Sequence, residues 1–418
     1  MNWLYNNAVL PLLKGALRLL SFWNPKIRRG LEGREGLQNE IEAHYKRIDK
    51  TRKRIWIHVA SFGELEQAKP VIEALRSEYE SAHIHLTFFS PSGFDNAKGR
   101  YRTPDLITYS PFDDDTSIGE FLAAVRPELV LFAKYDVWPN AITQITQLRI
   151  PSILFSATLG PDSGRFFPVV RDFNKRVYAQ LTKILVIREN DKQAFMQYGI
   201  ETSRIEVAGD TRFDQVTSRA ARTTSFTEPL SNLRSRWRSQ GRKVVVLGSA
   251  WTHDVNIFAE AINAIHDIAW IIVPHEPTEA HLTEIESLVG PSSRLSRYTD
   301  SNVIIVDSIG KLFEIYSLAD IAYVGGGFAA GAHNTLEAAV WGKPVLVGPR
   351  HQKTKEVQEL IEAGGAFEIT HASEARQRLT ALLTDDSMRK VAGERAHEFV
   401  RSHTGATERI MAVLRKYL

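Results

Sequence analysis

The chain has 418 residues, 43% of them apolar and 24% charged, which is enough for two or three packed domains. A formal net charge of +3 is too small to argue for nucleic acid, and no zinc-finger, aromatic-basic or helix-turn-helix signature is present. There is no cysteine, which excludes disulfides, thiol catalysis and cysteine metal ligands.

Residues 3–23, WLYNNAVLPLLKGALRLLSFW, are mostly apolar. Asn7, Pro11, Lys14, Arg18 and Ser21 recur every three or four residues, so on a helix they form one narrow polar stripe, with leucines and aromatics covering the rest. A spanning helix needs about 20 residues with few charges, and two cations near its middle would be costly. The pattern predicts an amphipathic helix lying in a membrane interface, anchored by Trp3, Phe22 and Trp23 and bent at Pro11. Lys26, Arg28 and Arg29 follow, as suits an anionic cytoplasmic surface. No small-residue cleavage site follows the apolar run, so a signal peptide fits poorly. A helix packed on the protein's own surface would show the same pattern.

Short apolar runs then alternate with helix-like segments. The runs are RIWIHVA (54–60), HIHLTFF (83–89), ELVLFA (128–133), SILFSA (152–157), KILVI (183–187) and RIEVAG (204–209). Segments such as 65–80 and 116–126 between them have helical spacing. Continuous apolar strands separated by helices predict a parallel sheet covered on both faces. Residues 217–242 are polar and basic and contain no predicted strand. The alternation resumes with KVVVLGSA (243–250), WIIVPHE (270–276), VIIVD (303–307), IAYVGGG (321–327) and PVLVGP (344–349), and 386–418 is helical in pattern. The expected α/β organisation is an N-terminal helix over 1–30, a doubly wound domain over 31–216, a linker over 217–242 and a second doubly wound domain over 243–418. Ligands of such sheets bind beyond the carboxyl ends of the strands, so the active site is expected in a cleft between the domains.

The carboxyl-end loops carry the candidate chemistry. In SFGE (61–64), Gly63 allows a tight turn and Glu64 stands at its tip or in the first turn of a helix. Glu64 is either a helix-dipole partner or a general base. FAKYDVWPN (132–140) places Lys134 and Asp136 before a Trp-Pro helix start, where they either pair with surface charges or face a ligand. GDTRFDQ (209–215) offers Arg212, a residue suited to phosphate or carboxylate, though an exposed arginine is commonly only solvated. GSAWTHD (248–254) and PHEP (274–277) are loops of the same kind in the second half.

In YVGGGFAAGAHNTLEAAVWGKPVLVGP (323–349), Gly325, Gly327 and Ala330 fit a loose dinucleotide fingerprint. The next strand ends in Gly348-Pro349-Arg350-His351 with no acid for a ribose, which counts against NAD. Asn334 and Glu337 have the spacing of a capping box, with Asn334 as the cap. The same spacing would set a helix N-terminus against an anion and Glu337 against a sugar hydroxyl. His58, His253, His275, His333 and His351 show no metal-ligand spacing, so no metal is expected. P-loop and nucleophile-elbow motifs are missing, which disfavours a P-loop NTPase and an α/β-hydrolase.

Taken in order, these loops resemble the 3-deoxy-D-manno-octulosonic acid (Kdo) transferases, glycosyltransferases of lipopolysaccharide biosynthesis with two Rossmann-like domains (the GT-B fold). The resemblance runs from the N-terminal apolar helix to about residue 415. SFGE is similar to the family's S-x-G-E, which implies that Glu64 is the catalytic base, with Ser61 and Gly63 beside the substrate. GDTRFD is similar to G-N-x-K-F-D, so Arg212 stands where a lysine is thought to stabilise the transition state. GSAWTHD resembles G-S-T-x-x-x-[DE] and brings in Ser249. PHEP resembles P-R-H-P, placing Pro274 and His275 near a cytosine. DSIGKL (307–312) resembles D-T-x-G-E-L, implying nucleotide contact by Ile309, Gly310 and Lys311. The glycine-rich stretch resembles the family's longest signature, which implicates Gly326, Gly327 and His333 and sets Asn334, Thr335, Leu336 and Glu337 on the cytidine nucleotide, Glu337 at the ribose.

Two departures stand out. The family's E-T-E-x-W-P-N is here Lys134-Tyr135-Asp136-Val137-Trp138-Pro139-Asn140, so one acid has become lysine and Asp136 is the remaining candidate for the other. In PHEP, His275 takes the arginine position and Glu276 replaces the histidine. The resemblance implies Kdo transfer from CMP-Kdo to a glucosamine hydroxyl of the tetra-acylated lipid A precursor. It further implies inversion in a single displacement, no cofactor or metal, and work at the cytoplasmic face of the inner membrane. The alternatives are another transferase of this fold or an epimerase using a UDP-sugar, and a non-catalytic lipid- or nucleotide-binding relative.

Overall fold

Strands β1 (Arg54–Val59), β2 (His83–Phe88), β3 (Leu106–Tyr109), β4 (Leu129–Ala133), β5 (Ser152–Ala157), β6 (Lys183–Val186) and β7 (Ile205–Val207) form a parallel sheet. Its order is β3-β2-β1-β4-β5-β6-β7. The computed structural model describes residues 2–159, 168–223, 228–299, 301–352 and 354–418. Every side chain of β1, β2, β4 and β5 is buried, as their largely apolar runs predict for strands covered on both faces. The two-residue period of a strand divides these side chains. Ile55, Ile57 and Val59 pack with Leu65, Val71, Ile72 and Leu75 of helix Phe62–Glu78. Trp56 points the other way, to Phe121 and Ile142. That second face is partly polar: His58, His83, His85 and Thr87 share it by the same alternation, and all are buried.

The second sheet comprises β8 (Val244–Ala250), β9 (Ala269–Pro274), β10 (Ser293–Arg294), β11 (Val303–Ile305), β12 (Ile321–Val324), β13 (Val345–Val347) and β14 (Ala366–Glu368). Its order is β10-β11-β9-β8-β12-β13-β14, again parallel. The predicted runs are all strands; β3, β10 and β14, two to four residues long and at or near sheet edges, were not anticipated. In each sheet the winding reverses once, between β1 and β4 and between β8 and β12. The carboxyl ends of these strand pairs flank the crevice in which open α/β sheets bind ligands.

The two compact units are Met1–Gln215 with Thr404–Leu418, and Val216–His403. The expected second domain ran to residue 418, but the last helix, Ala406–Leu414, packs with the first unit. Its Ile410, Met411, Val413 and Leu414 bury among Val59, Leu65 and Ile72, so apolar burial outweighs chain proximity. The stretch 217–242, expected as a linker, is largely helical. Within it, helix Leu230–Ser239 buries Leu230, Leu233 and Trp237.

The N-terminus is helical from Asn2 to Leu20, with a π-helical turn at Tyr5–Val9 before Pro11, and a further helix covers Pro25–Glu32. The wider π turn precedes the proline, whose missing N–H breaks the α ladder there. Lys14 of the predicted polar stripe turns inward, its Nζ 2.6 Å from Asp114. Tyr5 Oη donates to Asp113 (2.9 Å) and Asn6 Nδ2 to Asp115 (3.2 Å), while Leu10 is buried. Trp3, Leu12, Phe22 and Trp23 remain more than 70% exposed, leaving an uncovered apolar surface. Among the described residues no helix is long and apolar enough to cross a membrane.

Candidate active site

In the first unit, β1 ends at Val59 and helix Phe62–Glu78 begins three residues later, with Glu64 in its first turn. The Glu64 carboxylate folds back and accepts the backbone N–H of Ala60, two residues before the helix begins. Glu64 is 4% exposed. Burial raises its pKa above the ordinary glutamate value, with the Asp136 charge adding to the rise; the Ala60 N–H, His58 and Lys134 oppose it. A carboxylate pushed toward neutrality by burial is a better proton acceptor than a solvated one.

Neighbouring β4 brings Lys134 and Asp136 to the same end, since His58 of β1 pairs in register with Phe132. Asp136 Oδ2 lies 3.2 Å from His58 Nε2 and accepts Trp138 Nε1 at 3.3 Å. His58 Nδ1 lies 2.9 Å from Thr87 Oγ1, which accepts Trp56 Nε1 at 2.8 Å. Lys134 Nζ lies over the Tyr135 ring. Lys134 also has a left-handed backbone, φ 66°, which is strained for a residue with a side chain. Arg212 is not merely solvated. Its Nε donates to both Asp210 oxygens (3.2 and 3.0 Å) and its Nη2 to Oδ2 (2.6 Å). Thr211 Oγ1 donates to Gln67 O (2.6 Å), which ties this turn to the helix that carries Glu64. Burial raises the Asp210 pKa, but Arg212 outweighs it and holds the carboxyl below its usual value.

In the second unit, β12 runs into Gly325-Gly326-Gly327. These glycines admit the protein's own backbone. A Cβ on Gly325 would strike Ser249 O, and one on Gly327 would lie 2.6 Å from Gly348 N. Asp254, 1% exposed, clamps the loop: it accepts Gly326 N (3.0 Å), Trp251 N (2.9 Å) and Tyr323 Oη (2.6 Å). Ser249 is left-handed, φ 52°, and its Oγ lies 2.8 Å from His275 Nδ1, just after Pro274 at the end of β9. The rings of His275 and His333 stack at 4.3 Å and 8°, with Trp251 against His275 at 4.6 Å. Burial, reinforced by His275, lowers the His333 pKa.

The expected helix is shorter, and its cap shifts by one residue. The helix here is one turn, Leu336–Ala339, with Thr335 at its cap, and the Thr335 side chain makes no cap bond among the described residues. Asn334 Oδ1 accepts Leu336 N (3.2 Å), and Glu337 lies 3.6 Å from Arg219 Nη1. So short a helix offers little dipole to an anion. Of the buried polar atoms that lack a hydrogen-bond partner among the described residues, four fall within residues 308–335: Ser308 Oγ, Tyr316 Oη, His333 Nε2 and Thr335 Oγ1. Such atoms are costly unless a ligand or water engages them. Ile309 is exposed, Gly310 has φ 88°, and Lys311 caps helix Leu312–Leu318. Sequence reasoning did not single out His58, Thr87, Trp138, Arg219 or Tyr316. Of these only Trp138 had a local signal, its place before Pro139 at a helix start.

A profile of the 3-deoxy-D-manno-octulosonic-acid transferase (kdotransferase) family matches residues 36–215. A 3-deoxy-D-manno-octulosonic acid transferase of Haemophilus influenzae is 25% identical over 98% of this chain and 96% of its own. Another, from Chlamydophila psittaci, is 26% identical over 87% of this chain and 85% of its own. In fold, the chain is similar to a UDP-GlcNAc 2-epimerase of Neisseria meningitidis, with a TM-score of 0.62 at 15% identity, covering 87% of this chain and 100% of that one. Motif order, the two doubly wound sheets and full-length similarity agree: residues 36–215 form a Kdo transferase family domain, the chain as a whole is similar to Kdo transferases, and it is a glycosyltransferase.

Proposed function

We propose that the enzyme takes Kdo from CMP-Kdo and places it on a glucosamine hydroxyl of the tetra-acylated lipid A precursor, with inversion and without a metal. The observation that carries this is Glu64, a buried carboxylate of raised pKa at the carboxyl end of β1, beside the winding reversal of its sheet. In this reading Glu64 removes the acceptor hydroxyl proton as the oxygen attacks the anomeric carbon. Asp136 faces the positive charge that develops on the sugar, with Lys134, Ser61 and Gly63 around the substrate. Arg212, fixed by Asp210, meets phosphate or carboxylate. A single displacement needs one base and no covalent nucleophile.

The second unit takes the nucleotide. Its Tyr316, His333 and Thr335 atoms, without a partner among the described residues, supply polar contacts that a nucleotide would satisfy. Ser249, Pro274, His275, Ile309, Gly310, Lys311, Gly326, Gly327, Asn334 and Leu336 surround it, with Glu337 at the ribose. The exposed Trp3, Leu12, Phe22 and Trp23 rest on the cytoplasmic leaflet of the inner membrane, where a lipid acceptor resides.

Two experiments test this. Incubation with CMP-Kdo or with UDP-sugars, followed by the product's mass and anomeric configuration, separates the donors. Inverted Kdo product from CMP-Kdo alone supports the proposal, and transfer only from a UDP-sugar overturns it. For the membrane, the L12S/F22S/W23S variant should move from membrane to soluble fractions; unchanged fractionation contradicts an interfacial helix.

A further inference from the structure

His58 is the most buried titratable group near Glu64 that the mechanism leaves without a role; it is 1% exposed and inside β1. Its two nitrogens have different partners: Nδ1 faces Thr87 Oγ1 at 2.9 Å and Nε2 faces Asp136 Oδ2 at 3.2 Å. A carboxylate only accepts, so the hydrogen belongs on Nε2, and Nδ1 then accepts from the Thr87 hydroxyl. Trp56 Nε1, donating to Thr87 at 2.8 Å, fixes that hydroxyl in turn. The result is a relay of donors, Trp56 to Thr87 to His58 to Asp136, all but its last member buried. Trp138 Nε1, 3.4 Å from His58 Nε2, completes the clamp by donating to the same Asp136 oxygen at 3.3 Å.

Both donors therefore grip Oδ2. Asp136 Oδ1 has no hydrogen-bond partner among the described residues, and the side chain is 24% exposed. A carboxylate held at one oxygen and open at the other is oriented toward something outside its own network. Asp136 is one methylene shorter than glutamate, so it reaches less far and depends more on being aimed. We propose that His58 is a positioning residue that aims Asp136 Oδ1 at the reacting sugar. This rests on the reading of Kdo transfer with Glu64 as base. The charged groups acting on Glu64 here are Asp136 and Lys134, both from the loop after β4, together with His58 itself when protonated.

The test is Kdo transfer from CMP-Kdo by the full-length enzyme, comparing H58A, H58Q, H58N, D136A, H58A/D136A and E64Q, with thermal unfolding of each. The Nε2–H of glutamine falls where that of histidine was; asparagine reaches only the Nδ1 position. H58A and H58N should lower kcat about tenfold to a hundredfold, the size of a lost bond to a charged group, with little change in KM for CMP-Kdo. H58Q should recover most of that loss. H58A/D136A should be no worse than D136A, since His58 acts through Asp136. Additive losses in the double variant, or H58Q as impaired as H58A while both fold, would overturn the proposal, as would unchanged kcat in H58A. If H58A does not fold, the near-isosteric H58Q and H58N decide by their ranking alone. E64Q keeps the outcomes apart: an active E64Q removes the base assignment, whereas an inactive E64Q with an additive cycle removes only the role of His58.

Discussion

The two units each wind a seven-stranded parallel sheet in both directions from its first strand, and they present opposite chemistry where the winding reverses. In the first, titratable side chains are already engaged: Glu64 on Ala60, Asp136 between His58 and Trp138, Arg212 on Asp210. In the second, backbone packs on backbone through Gly325 and Gly327, and buried polar atoms of Tyr316, His333 and Thr335 stand without partners among the described residues. The first resembles a site whose reacting groups are pre-oriented. The second resembles a socket whose hydrogen bonds a ligand completes. Substitutions should therefore separate activity from stability differently in the two halves.

The largest effect belongs to the first unit. E64Q should lower kcat by about 10²–10⁴-fold, as expected for loss of a general base, while the unfolding midpoint stays close to wild type or rises, since a buried charge is removed. In the second unit the order reverses. G327A should destabilise by about 1–3 kcal/mol, because its Cβ has only the Gly348 backbone to displace, and chemical denaturation reads this directly. T335V sharpens the contrast. Its Oγ1 has no partner among the described residues, so unfolding stability should hold or rise, while CMP affinity in calorimetry should fall about tenfold. Equal losses in both would mean that Thr335 is structural.

A comparable effect follows from the polar face of the first sheet. Burial lowers the His83 pKa to about 4, and His44 Nε2 lies 2.9 Å from its Nε2. A histidine held neutral in the fold, yet free to protonate when unfolded, contributes stability that is complete above its ordinary pKa of about 6.5 and is lost as pH falls toward 4. Burial pushes Asp113 up to about 7, which acts in the opposite sense over the same window. The His83 contribution, on the order of 2–3 kcal/mol, is therefore read as the difference in unfolding free energy between wild type and H83N from pH 7 to 4.5. Smallest of all, R219A should cost under about 1 kcal/mol, because its 3.6 Å pair with Glu337 is partly exposed.

Much of this contrast was legible in the sequence. Largely apolar runs such as HIHLTFF and KVVVLGSA announced central parallel strands, and the glycines and charges just after them marked the carboxyl-end loops. What could not be read depends on pairing across the chain. His58 looks like an interruption in an apolar strand until the register sets it beside Thr87. The helix at Ala406–Leu414 carries an apolar face, but nothing local says which unit it covers. The spacing of Asn334 and Glu337 matches a capping box, yet the chain there makes one helical turn and leaves Glu337 near Arg219. Edge strands such as β14 are too short to show a period.

The central claim is that this chain transfers Kdo with Glu64 as the base. Its most direct test is transfer from freshly generated CMP-Kdo to the tetra-acylated lipid A precursor, wild type beside E64Q, with product masses read. The account predicts product masses raised by whole Kdo units with wild type and none with E64Q, although both bind CMP. No product from a wild type that binds CMP, or equal product from E64Q, would contradict it.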